Sequence, residues 1–392
     1  MNKLNKNGGG MDFNLSPEQK AMQKMCREFA ENEIAPRAQE MDRTGEFPYD
    51  IIKKMGDLGL MGLPIPKQYG GAGADYLTYA IALEEISRAD ASVGITMSAH
   101  ISLPCNALLY FGSDEQKQKW LIPLAQGEML GAFGLTEPSA GSDAGATQTT
   151  VELKDDQWVI NGSKCFITNA GTDISGLVII TAITGRREDG KPEISNFIVP
   201  RGTKGYSQGP KYDKMGWRAS DTRELIFSDC KIPKENLLGE LGGGFKQFLQ
   251  VLDAARISMA ALSVGVAQAC LDASLKYAKE RVQFGRPISK FQAISFKLAD
   301  MATKIELARL MYYKAAWLRD NKKPYAKEAA MAKLYASEIS VQCANEAVQI
   351  HGGYGFMDDF DVSRYYRDVK VNTIGEGTSE VQRIVIARQL GC

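Results

Sequence analysis

Trp158-Val-Ile-Asn-Gly-Ser-Lys-Cys-Phe-Ile-Thr168, preceded at a short distance by Val151-Glu-Leu-Lys154, is the stretch that decides the fold. Both segments alternate apolar with polar positions and are rich in β-branched and aromatic residues, which indicates half-buried strands. The Asn161-Gly162 pair is typical of a two-residue hairpin turn, so the pattern predicts a meander that turns there. Because the pattern elsewhere is helical, we predict a β domain set between two helical segments.

Further short strand patterns extend this β domain. The pattern changes near Gly131, and alternating segments follow at residues 177–183, 196–199 and 224–227. Connections that contain glycine or proline separate these segments. We place the middle β domain, predicted to be a β-barrel of about a hundred residues, at positions 129–242.

A helical segment comes first. Ser16 can cap a helix in which Pro17 occupies the first turn and Gln19 completes a capping-box spacing. Apolar residues then recur at helical intervals, interrupted by a proline- and glycine-punctuated loop at residues 63–73. We predict an N-terminal α-helical domain over residues 11–128.

Three long amphipathic patterns follow the β domain, at residues 245–280, 291–319 and 327–350. They are too long for a compact α/β unit and suit a bundle, so residues 243–392 are predicted to form a C-terminal four-helix bundle. The first ten residues are polar and end in three glycines, which predicts a flexible extension at 1–10 with Met11 as a candidate natural start.

The composition excludes several classes of function. The chain carries 47 basic and 47 acidic residues with no basic cluster, which argues against nucleic-acid partners or an anionic membrane surface. No apolar run reaches the roughly 18–20 residues that span a bilayer, so no membrane insertion is expected. The 7 cysteines form no C-x-x-C pair, which indicates reduced thiols and a cytoplasmic location. His100 and His351 lack nearby ligands, so no metal site is predicted.

One carboxylate, Glu376, stands between two glycines just before an apolar, helix-like run. Flanking glycines permit tight turns and close approach to a ligand, so this carboxylate could point into a cavity and act as a catalytic base. Taken alone, the segment is better explained as a solvated loop glutamate. The Gly375-x-Gly377 spacing is not a dinucleotide fingerprint, because the third glycine and the strand–helix setting are missing.

Four motifs carry the rest of the functional signal. They are Phe133-Gly-Leu-Thr-Glu-Pro-Ser-Ala-Gly-Ser-Asp143, Phe166-Ile-Thr-Asn169, Arg281-Val-Gln-Phe-Gly-Arg-Pro-Ile288, and Gln349-Ile-His-Gly-Gly-Tyr-Gly355 with Glu376-Gly-Thr-Ser-Glu380. In this order they resemble four parts of the flavin-dependent acyl-CoA dehydrogenase family. The first three are the flavin loop, the segment beside the flavin ring and the stretch that reaches a neighbouring subunit's cofactor. The fourth is the pair of motifs with which the family's sequences end. The resemblance covers essentially the whole chain.

The resemblance implies FAD as the cofactor, held by neutral hydrogen-bond donors at the ring and by donors to the pyrophosphate. It assigns cofactor contacts to Phe133, Leu135, Thr136, Gly141, Ser142, Phe166, Ile167, Thr168, Arg281, Gln283, Phe284, Gln292, Gln349, Gly352, Gly353, Thr378 and Glu380. It assigns substrate contacts to Ser142, Asp253, Arg256, Gly375 and Gly377. Without the resemblance, Asp253 and Arg256 are about equally well explained as an ordinary i,i+3 helix pair.

The implied chemistry is α,β-dehydrogenation of an acyl-CoA thioester. In the family, the residue corresponding to Glu376 removes the α proton, a hydride leaves to flavin N5, and the base's own N–H helps to hold the thioester oxygen. Burial is expected to raise the pKa of Glu376 toward working pH. Some branched-chain relatives take the base from the position before Arg256, which here is Ala255, so no second acid competes with Glu376.

The resemblance narrows the substrate and the partners without fixing them. Straight short-chain relatives usually carry tyrosine at the position of Gly375, so its absence favours a short, branched or alicyclic acyl group. No arginine occurs in the expected pocket floor at residues 93–103, which argues against a second carboxylate on the substrate. The alternatives are a straight-chain butyryl-CoA dehydrogenase, an oxygen-using acyl-CoA oxidase, or a non-enzymatic assembly protein. Electron-transferring flavoprotein is the expected electron acceptor, and a homotetramer the expected assembly.

Overall fold

The computed structural model describes residues 14–392, so the predicted extension and the candidate start at Met11 lie outside the described residues. The first helix, α1 (Pro17–Phe29), begins as predicted. Ser16 Oγ accepts from the Gln19 N–H at 3.2 Å, and the Gln19 side chain accepts from the Ser16 N–H at 3.0 Å. This reciprocal capping box gives a partner to the backbone N–H groups of Ser16 and Gln19 at the start of the helix.

The described part of the N-terminal segment is helical, as predicted. After α1 come α2 (Ala38–Thr44), α3 (Tyr49–Asp57), α4 (Tyr76–Ala89), α5 (Ala91–His100), α6 (Asn106–Phe111), α7 (Asp114–Gln116) and α8 (Ile122–Ala125). Single π-helical turns at Ala30–Ile34, Ile101–Cys105 and Lys117–Leu121 extend or join these helices.

An eight-stranded sheet follows and confirms the middle β domain. Its strands are β1 (Leu130–Gly134), β2 (Thr150–Lys154), β3 (Gln157–Thr168), β4 (Ser175–Arg186), β5 (Pro192–Pro200), β6 (Tyr206–Gln208), β7 (Thr222–Pro233) and β8 (Leu237–Leu238). Hydrogen bonds connect them in the order β6-β7-β3-β2-β4-β5-β8, and β1 pairs in parallel with β4. The sheet has a hydrophobic core of its own, which includes Trp158, Phe197 and Phe227.

The predicted turn at Asn161-Gly162 is wrong, because β3 runs through this pair with an irregular register. The chain turns instead at Asp155-Asp156, where both residues have positive φ values of 48° and 59°. A Cβ on Gly162 would lie 2.6 Å from the Thr149 hydroxyl oxygen. This glycine therefore serves a close approach between strands, which a glycine inside a strand often marks, and not a turn.

Five helices and a two-stranded hairpin complete the chain. They are α9 (Gly244–Glu280), β9 (Val282–Gln283), β10 (Arg286–Pro287), α10 (Gln292–Asp320), α11 (Ala326–His351), α12 (Asp361–Asp368) and α13 (Ser379–Leu390). Helices α9, α10 and α11 pack against one another and α13 packs on α11, which confirms the C-terminal helical bundle. The proposed domain boundaries at 128 and 242 fall in the connections before β1 and α9.

The helices from the two ends of the chain share one hydrophobic core. Helix α4 packs along α9, and a Cβ on Gly265 of α9 would lie only 2.3 Å from the Glu84 carbonyl oxygen, so the contact requires glycine. Among the described helices, α9 is long and apolar enough to be a candidate membrane span, although charged residues interrupt its apolar sequence. Because 94% of its most apolar window is buried inside the protein, it is the core helix of this fold.

Candidate active site

The loop before α13 places Glu376 in a strained backbone conformation. Glu376 and Gly377 both have positive φ values, 56° and 90°, and Thr378 then caps α13 by accepting from the Val381 N–H at 3.3 Å. A residue with a side chain adopts left-handed backbone only where its surroundings fix it. Within residues 14–392 the half-buried Glu376 carboxylate accepts no hydrogen bond and forms no ion pair, and the Glu376 N–H has no acceptor.

Two buried side chains hold this turn from the helix side. Lys333 of α11 is 0% exposed, and its Nζ donates to the Gly377 carbonyl oxygen at 2.8 Å. Gln382 of α13 donates from Nε2 to the carbonyl oxygens of Gly377 at 2.9 Å and of Glu376 at 3.2 Å. Sequence reasoning missed both residues. The sequence feature that could have identified Lys333 is its position next to Ala332, within the stripe of small residues that α11 buries.

The charges near Glu376 oppose the effect of its burial. Burial raises the pKa of Glu376 to about 6, although the positive charges of Lys333 and Arg256 act in the opposite direction. Burial lowers the pKa of Lys333 to about 8, against the attraction of Glu376. Arg256 is buried and forms an ion pair with Asp253, three residues before it on α9. A carboxylate that titrates near neutral pH is suited to accept a proton and release it again.

Gly375 leaves open space beside Glu376. Within 4 Å, a Cβ on Gly375 would meet only the Val371 carbonyl oxygen, at 3.6 Å, and the backbone of Gly375 is not left-handed. A larger side chain is therefore sterically acceptable at the backbone, and the glycine answers no local conformational requirement. Gly377 differs, because a Cβ there would lie 2.8 Å from Nε2 of Gln382.

The segment that follows β1 is organised around a buried ion pair. Glu137 accepts from Lys164 Nζ at 2.7 Å, from the Thr147 hydroxyl, and from the N–H groups of Gln148 at 2.6 Å and Thr149 at 3.1 Å. Burial tends to raise the pKa of Glu137, but the Lys164 charge and the hydrogen bonds outweigh it and lower the pKa to about 2. This carboxylate is a fixed anchor for the loop.

The predicted cofactor residues near this anchor differ in exposure. Those buried are Phe133 and Ile167, those half-buried are Leu135, Thr136 and Thr168, and those exposed are Gly141, Ser142 and Phe166. Phe166 has a φ of 61° and a ring that is 67% exposed, with its centroid 5.6 Å from that of Tyr212. An exposed ring on a constrained backbone offers a face to a flat ligand. Ile167 packs in the β-domain core, so only its backbone can face a ligand.

A second group of predicted cofactor residues lines a different cavity, of about 580 Å³. Arg281, Gln283, Gly352 and Gly353 are in its walls, and Glu376 is not. The guanidinium carbon of Arg281 lies 5.5 Å from the ring centroid of another wall residue, a tyrosine of the Gly-Gly-Tyr-Gly segment. The cavity combines a fixed positive charge with an apolar lining, which suits a phosphate-bearing aromatic ligand.

The remaining predicted cofactor residues lie near the surface. Phe284, at the tip of the β9–β10 hairpin, is 93% exposed, and Gln292 and Gln349 are exposed as well. Thr378 is half-buried and Glu380 is exposed at the start of α13. In one chain the predicted residues thus lie in three places: at the Glu376 turn, in the segment after β1 with the end of β3, and around the hairpin.

Both histidines are held by neighbouring groups. Gly131 N–H donates to His100 Nδ1 at 3.1 Å, and His100 Nε2 lies 3.0 Å from the Leu124 carbonyl oxygen. Burial lowers the pKa of His100 to about 4, so the ring is neutral. His351 stacks on Tyr277 with centroids 4.3 Å apart. In residues 14–392 no three His, Cys, Asp or Glu side chains form a group that could hold a metal ion.

Family models cover almost the whole described chain. The models of the acyl-CoA dehydrogenase N-terminal, middle and C-terminal domains match residues 16–128, 132–230 and 242–391. The chain belongs to the acyl-CoA dehydrogenase family. It is therefore an oxidoreductase that acts on CH–CH donors and uses FAD.

Relatives of this acyl-CoA dehydrogenase align over nearly its full length. The probable acyl-CoA dehydrogenase YngJ of Bacillus subtilis is 57% identical over 97% of this chain and 100% of its own length. Butyryl-CoA dehydrogenase from Megasphaera elsdenii has a TM-score of 0.94 and 45% identity, covering 97% of this chain and 100% of that one. A chain from a structural study of the electron transferring flavoprotein of Acidaminococcus fermentans has a TM-score of 0.94 and 49% identity, with coverage of 97% and 99%. An acyl-CoA dehydrogenase from Bacillus anthracis, solved with FAD, has a TM-score of 0.90 and 36% identity, with coverage of 96% and 67%.

Proposed function

We propose that this enzyme dehydrogenates a short acyl-CoA whose acyl group is branched or alicyclic. The observation that carries the proposal is Gly375, which places no side chain next to Glu376 although the backbone would accept one. An absent aromatic ring leaves unfilled volume beside the acyl group, and unfilled volume weakens the binding of a small straight chain. A branch or a ring on the substrate would fill that volume.

Glu376 is the base in this proposal. Its pKa of about 6 leaves the carboxylate ionised near neutral pH, and no protein donor occupies its oxygens within the described chain. An α proton next to a thioester is only weakly acidic, so the developing enolate oxygen needs a hydrogen-bond donor. The unpaired Glu376 N–H can provide that donor. Ala255, where some branched-chain relatives carry the base, is buried and offers no acid.

The proposed cofactor contacts fit FAD in chemistry. The hydroxyls of Thr136 and Thr168 and the exposed ring of Phe166 suit a neutral flavin ring, since they offer hydrogen bonds and a flat surface without charge. The Arg281 guanidinium suits a pyrophosphate. When bound, FAD supplies the acceptor for the β hydride. The role of the protein itself is to orient the thioester so that its α proton faces Glu376.

Gly375→Tyr tests the proposed substrate class. Wild type is expected to prefer cyclohexanecarboxyl-CoA over butyryl-CoA in kcat/KM by about 10–200-fold, the range that one or two methylene-sized contacts supply. Gly375→Tyr should reverse the order, because the new ring clashes with a cyclic acyl group and fills the unused volume beside a straight one. Gly375→Ala is the matched control and should keep most of the wild-type preference, since its Cβ lies at contact distance.

A straight-chain butyryl-CoA dehydrogenase is the second candidate. It is favoured by the 45% identity to the Megasphaera elsdenii enzyme over 97% of this chain. The same two-by-two comparison of kcat/KM decides between the candidates. A wild type that prefers butyryl-CoA, together with a Gly375→Tyr variant that leaves the ratio unchanged, contradicts a branched or alicyclic substrate.

We further propose that the enzyme is a homo-oligomer, a tetramer in the simplest case. Large apolar side chains are exposed on the hairpin and on α10, where Phe284 is 93%, Phe296 61% and Leu307 49% exposed. Exposed groups of this kind mark surfaces that other chains cover. If Arg281 and Phe284 reach a neighbour's FAD, dilution should release FAD together with subunits. Sedimentation with detection of flavin absorbance checks this, and an active, fully flavinylated monomer contradicts it.

The proposed electron acceptor is electron-transferring flavoprotein. Support comes from the 49% identity to a chain in the Acidaminococcus fermentans flavoprotein study. Substrate-bleached enzyme should regain its flavin absorbance when electron-transferring flavoprotein is added, and should form little peroxide in air. Peroxide formation at the rate of turnover would favour an oxidase instead. All seven cysteines are unpaired, which supports the proposed cytoplasmic location.

A further inference from the structure

The carbonyl groups of the turn that carries Glu376 accept one hydrogen bond more than they require. The Gly377 carbonyl oxygen accepts from both Lys333 at 2.8 Å and Gln382 at 2.9 Å. Gln382 alone satisfies this half-buried acceptor, and it also reaches the Glu376 carbonyl oxygen at 3.2 Å. The requirement that buried polar groups be paired therefore does not explain Lys333.

The charge of Lys333 needs a reason of its own. A fully buried ammonium group is costly unless opposite charge compensates it, and the one hydrogen bond of Lys333 in the described chain goes to a neutral carbonyl. Glu376 gives the largest attraction, Glu380 and Glu338 add to it, and Arg256 repels. Glu338 is already in an ion pair and Glu380 is exposed, which leaves Glu376 as the unpaired counter-charge.

Two cations on two helices, Lys333 of α11 and Arg256 of α9, lower the pKa of Glu376 against the effect of its burial. Arg256 has a nearer partner, because it forms an ion pair with Asp253. Lys333 has no carboxylate contact in the described chain, so its charge acts on Glu376 without a closer competitor. Of the two cations, Lys333 should therefore have the larger effect on the ionisation of Glu376.

We propose that Lys333 and Gln382 are positioning residues for the reaction, Gln382 by fixing the strained Glu376–Gly377 turn and Lys333 by keeping the Glu376 carboxylate ionised. This proposal rests on the proposed role of Glu376 as the base. Burial favours the neutral acid, and the Lys333 charge counteracts it. Without that charge the pKa of Glu376 would rise above about 6, and fewer molecules could accept a proton at neutral pH. Gln382 is uncharged, so it acts through geometry alone.

Lys333→Gln separates charge from hydrogen bonding, because its amide can still donate to the turn. We expect normal FAD content, a KM for acyl-CoA within about twofold of wild type, and an acid limb of the kcat–pH profile about one pH unit higher. Turnover needs ionised Glu376, so kcat should fall about tenfold well below pH 6 and change little near pH 8. A purely structural lysine would alter stability or FAD content and leave the acid limb in place.

Three further variants complete the experiment. Gln382→Met should lower kcat by roughly 10–100-fold at every pH without moving the acid limb, because a displaced base is slower but titrates as before. Lys333→Met removes charge and donor together, and should show both the shift and an additional loss independent of pH. Lys327→Gln changes a lysine on the same helix outside the site and should match wild type.

An acid limb at the wild-type position in flavin-loaded Lys333→Gln or Lys333→Met overturns the role of Lys333. Failure of both variants to fold, with Lys333→Arg folded and active, assigns the lysine to folding and also overturns it. Glu376→Gln is measured in parallel to separate the two proposals. If Glu376→Gln keeps turnover, the proposed base is wrong, whereas if it is inactive and the Lys333 and Gln382 variants match wild type, only the positioning roles are wrong.

Discussion

Two glutamates that each have a buried lysine nearby have opposite properties in this enzyme. Glu137 contacts Lys164 at 2.7 Å and accepts hydrogen bonds from the Thr147 hydroxyl and two backbone N–H groups, and its pKa falls to about 2. Glu376 has Lys333 nearby, but that lysine donates to a backbone carbonyl, and the pKa of Glu376 rises to about 6. Burial lowers the pKa of both lysines to about 8.

The difference shows that burial next to a lysine does not by itself determine what a carboxylate does. When donors occupy the carboxylate oxygens, as in Glu137, the ionised form is locked and the group is an anchor. When the lysine is directed to the backbone instead, as beside Glu376, the charge stabilises the carboxylate at a distance and leaves its oxygens open. The second arrangement suits a group that must accept a proton.

Glu376→Gln should have the largest effect on turnover. We expect kcat to fall by at least roughly 10²–10⁴-fold, since a positioned base contributes that much and Ala255 offers no replacement. The variant should keep its fold and FAD, because the carboxylate makes no hydrogen bond that holds the protein together. Stopped-flow bleaching of the flavin by substrate measures the rate. A near-normal rate of bleaching would show that another residue is the base, and Glu376 would then not differ from Glu137 in the proposed way.

Glu137→Gln should lower the stability of the fold and have little effect on the rate of the reaction. Removing one partner leaves the Lys164 ammonium buried without its counter-charge, which costs roughly 3–5 kcal/mol. Urea unfolding should show this loss, while kcat per bound flavin changes much less than in Glu376→Gln. Glu152→Gln is the matched control, because Glu152 pairs with Lys154 on the exposed face of β2 and such pairs contribute about 0–1 kcal/mol. A Glu137→Gln variant as stable as Glu152→Gln would show that the anchor is not structural.

The two glutamates should have opposite effects on how the free energy of unfolding changes with pH. The pKa of Glu137 lies below its ordinary value of 4.5, so its contribution is present above pH 4.5 and is lost as pH falls through about 2. The pKa of Glu376 lies above 4.5, so its contribution is present below pH 4.5 and is lost as pH rises through about 6. Glu376→Gln should therefore gain roughly 1–2 kcal/mol relative to wild type above pH 6 and little near pH 4. Urea unfolding at both pH values checks this, and equal differences at the two would contradict the raised pKa.

The features that the sequence predicts well are those encoded within a few neighbouring residues. The Ser16 capping box forms as its spacing predicts, and the three long C-terminal helices begin and end within one residue of the predicted positions. The expected rise in the pKa of Glu376 also agrees with the structure. The capping box and the helix bounds follow from local spacing, which a single stretch of sequence displays, whereas the pKa expectation follows from the family resemblance.

The features that it does not predict depend on contacts between distant segments. Asn161-Gly162 has the chemistry of a turn, but pairing with β2 and β7 makes this pair part of a continuous strand. Lys333 and Gln382 belong to two different helices, and only packing of α11 against α13 brings them to one turn. Their spacing along the chain carries no motif, so local pattern reasoning has no signal that joins them.

The contact between α4 and α9 at Gly265 has a consequence for biosynthesis. Chains are made from the N-terminus, so α4 already exists when α9 leaves the ribosome, whereas α10 and α11, which also pack against α9, are made after it. During that interval α9 has native partners in the elements made before it, and α4 forms the most extensive of these contacts. The glycine that allows the close approach of α4 in the folded enzyme thus also allows α4 to cover a long apolar helix before synthesis is complete.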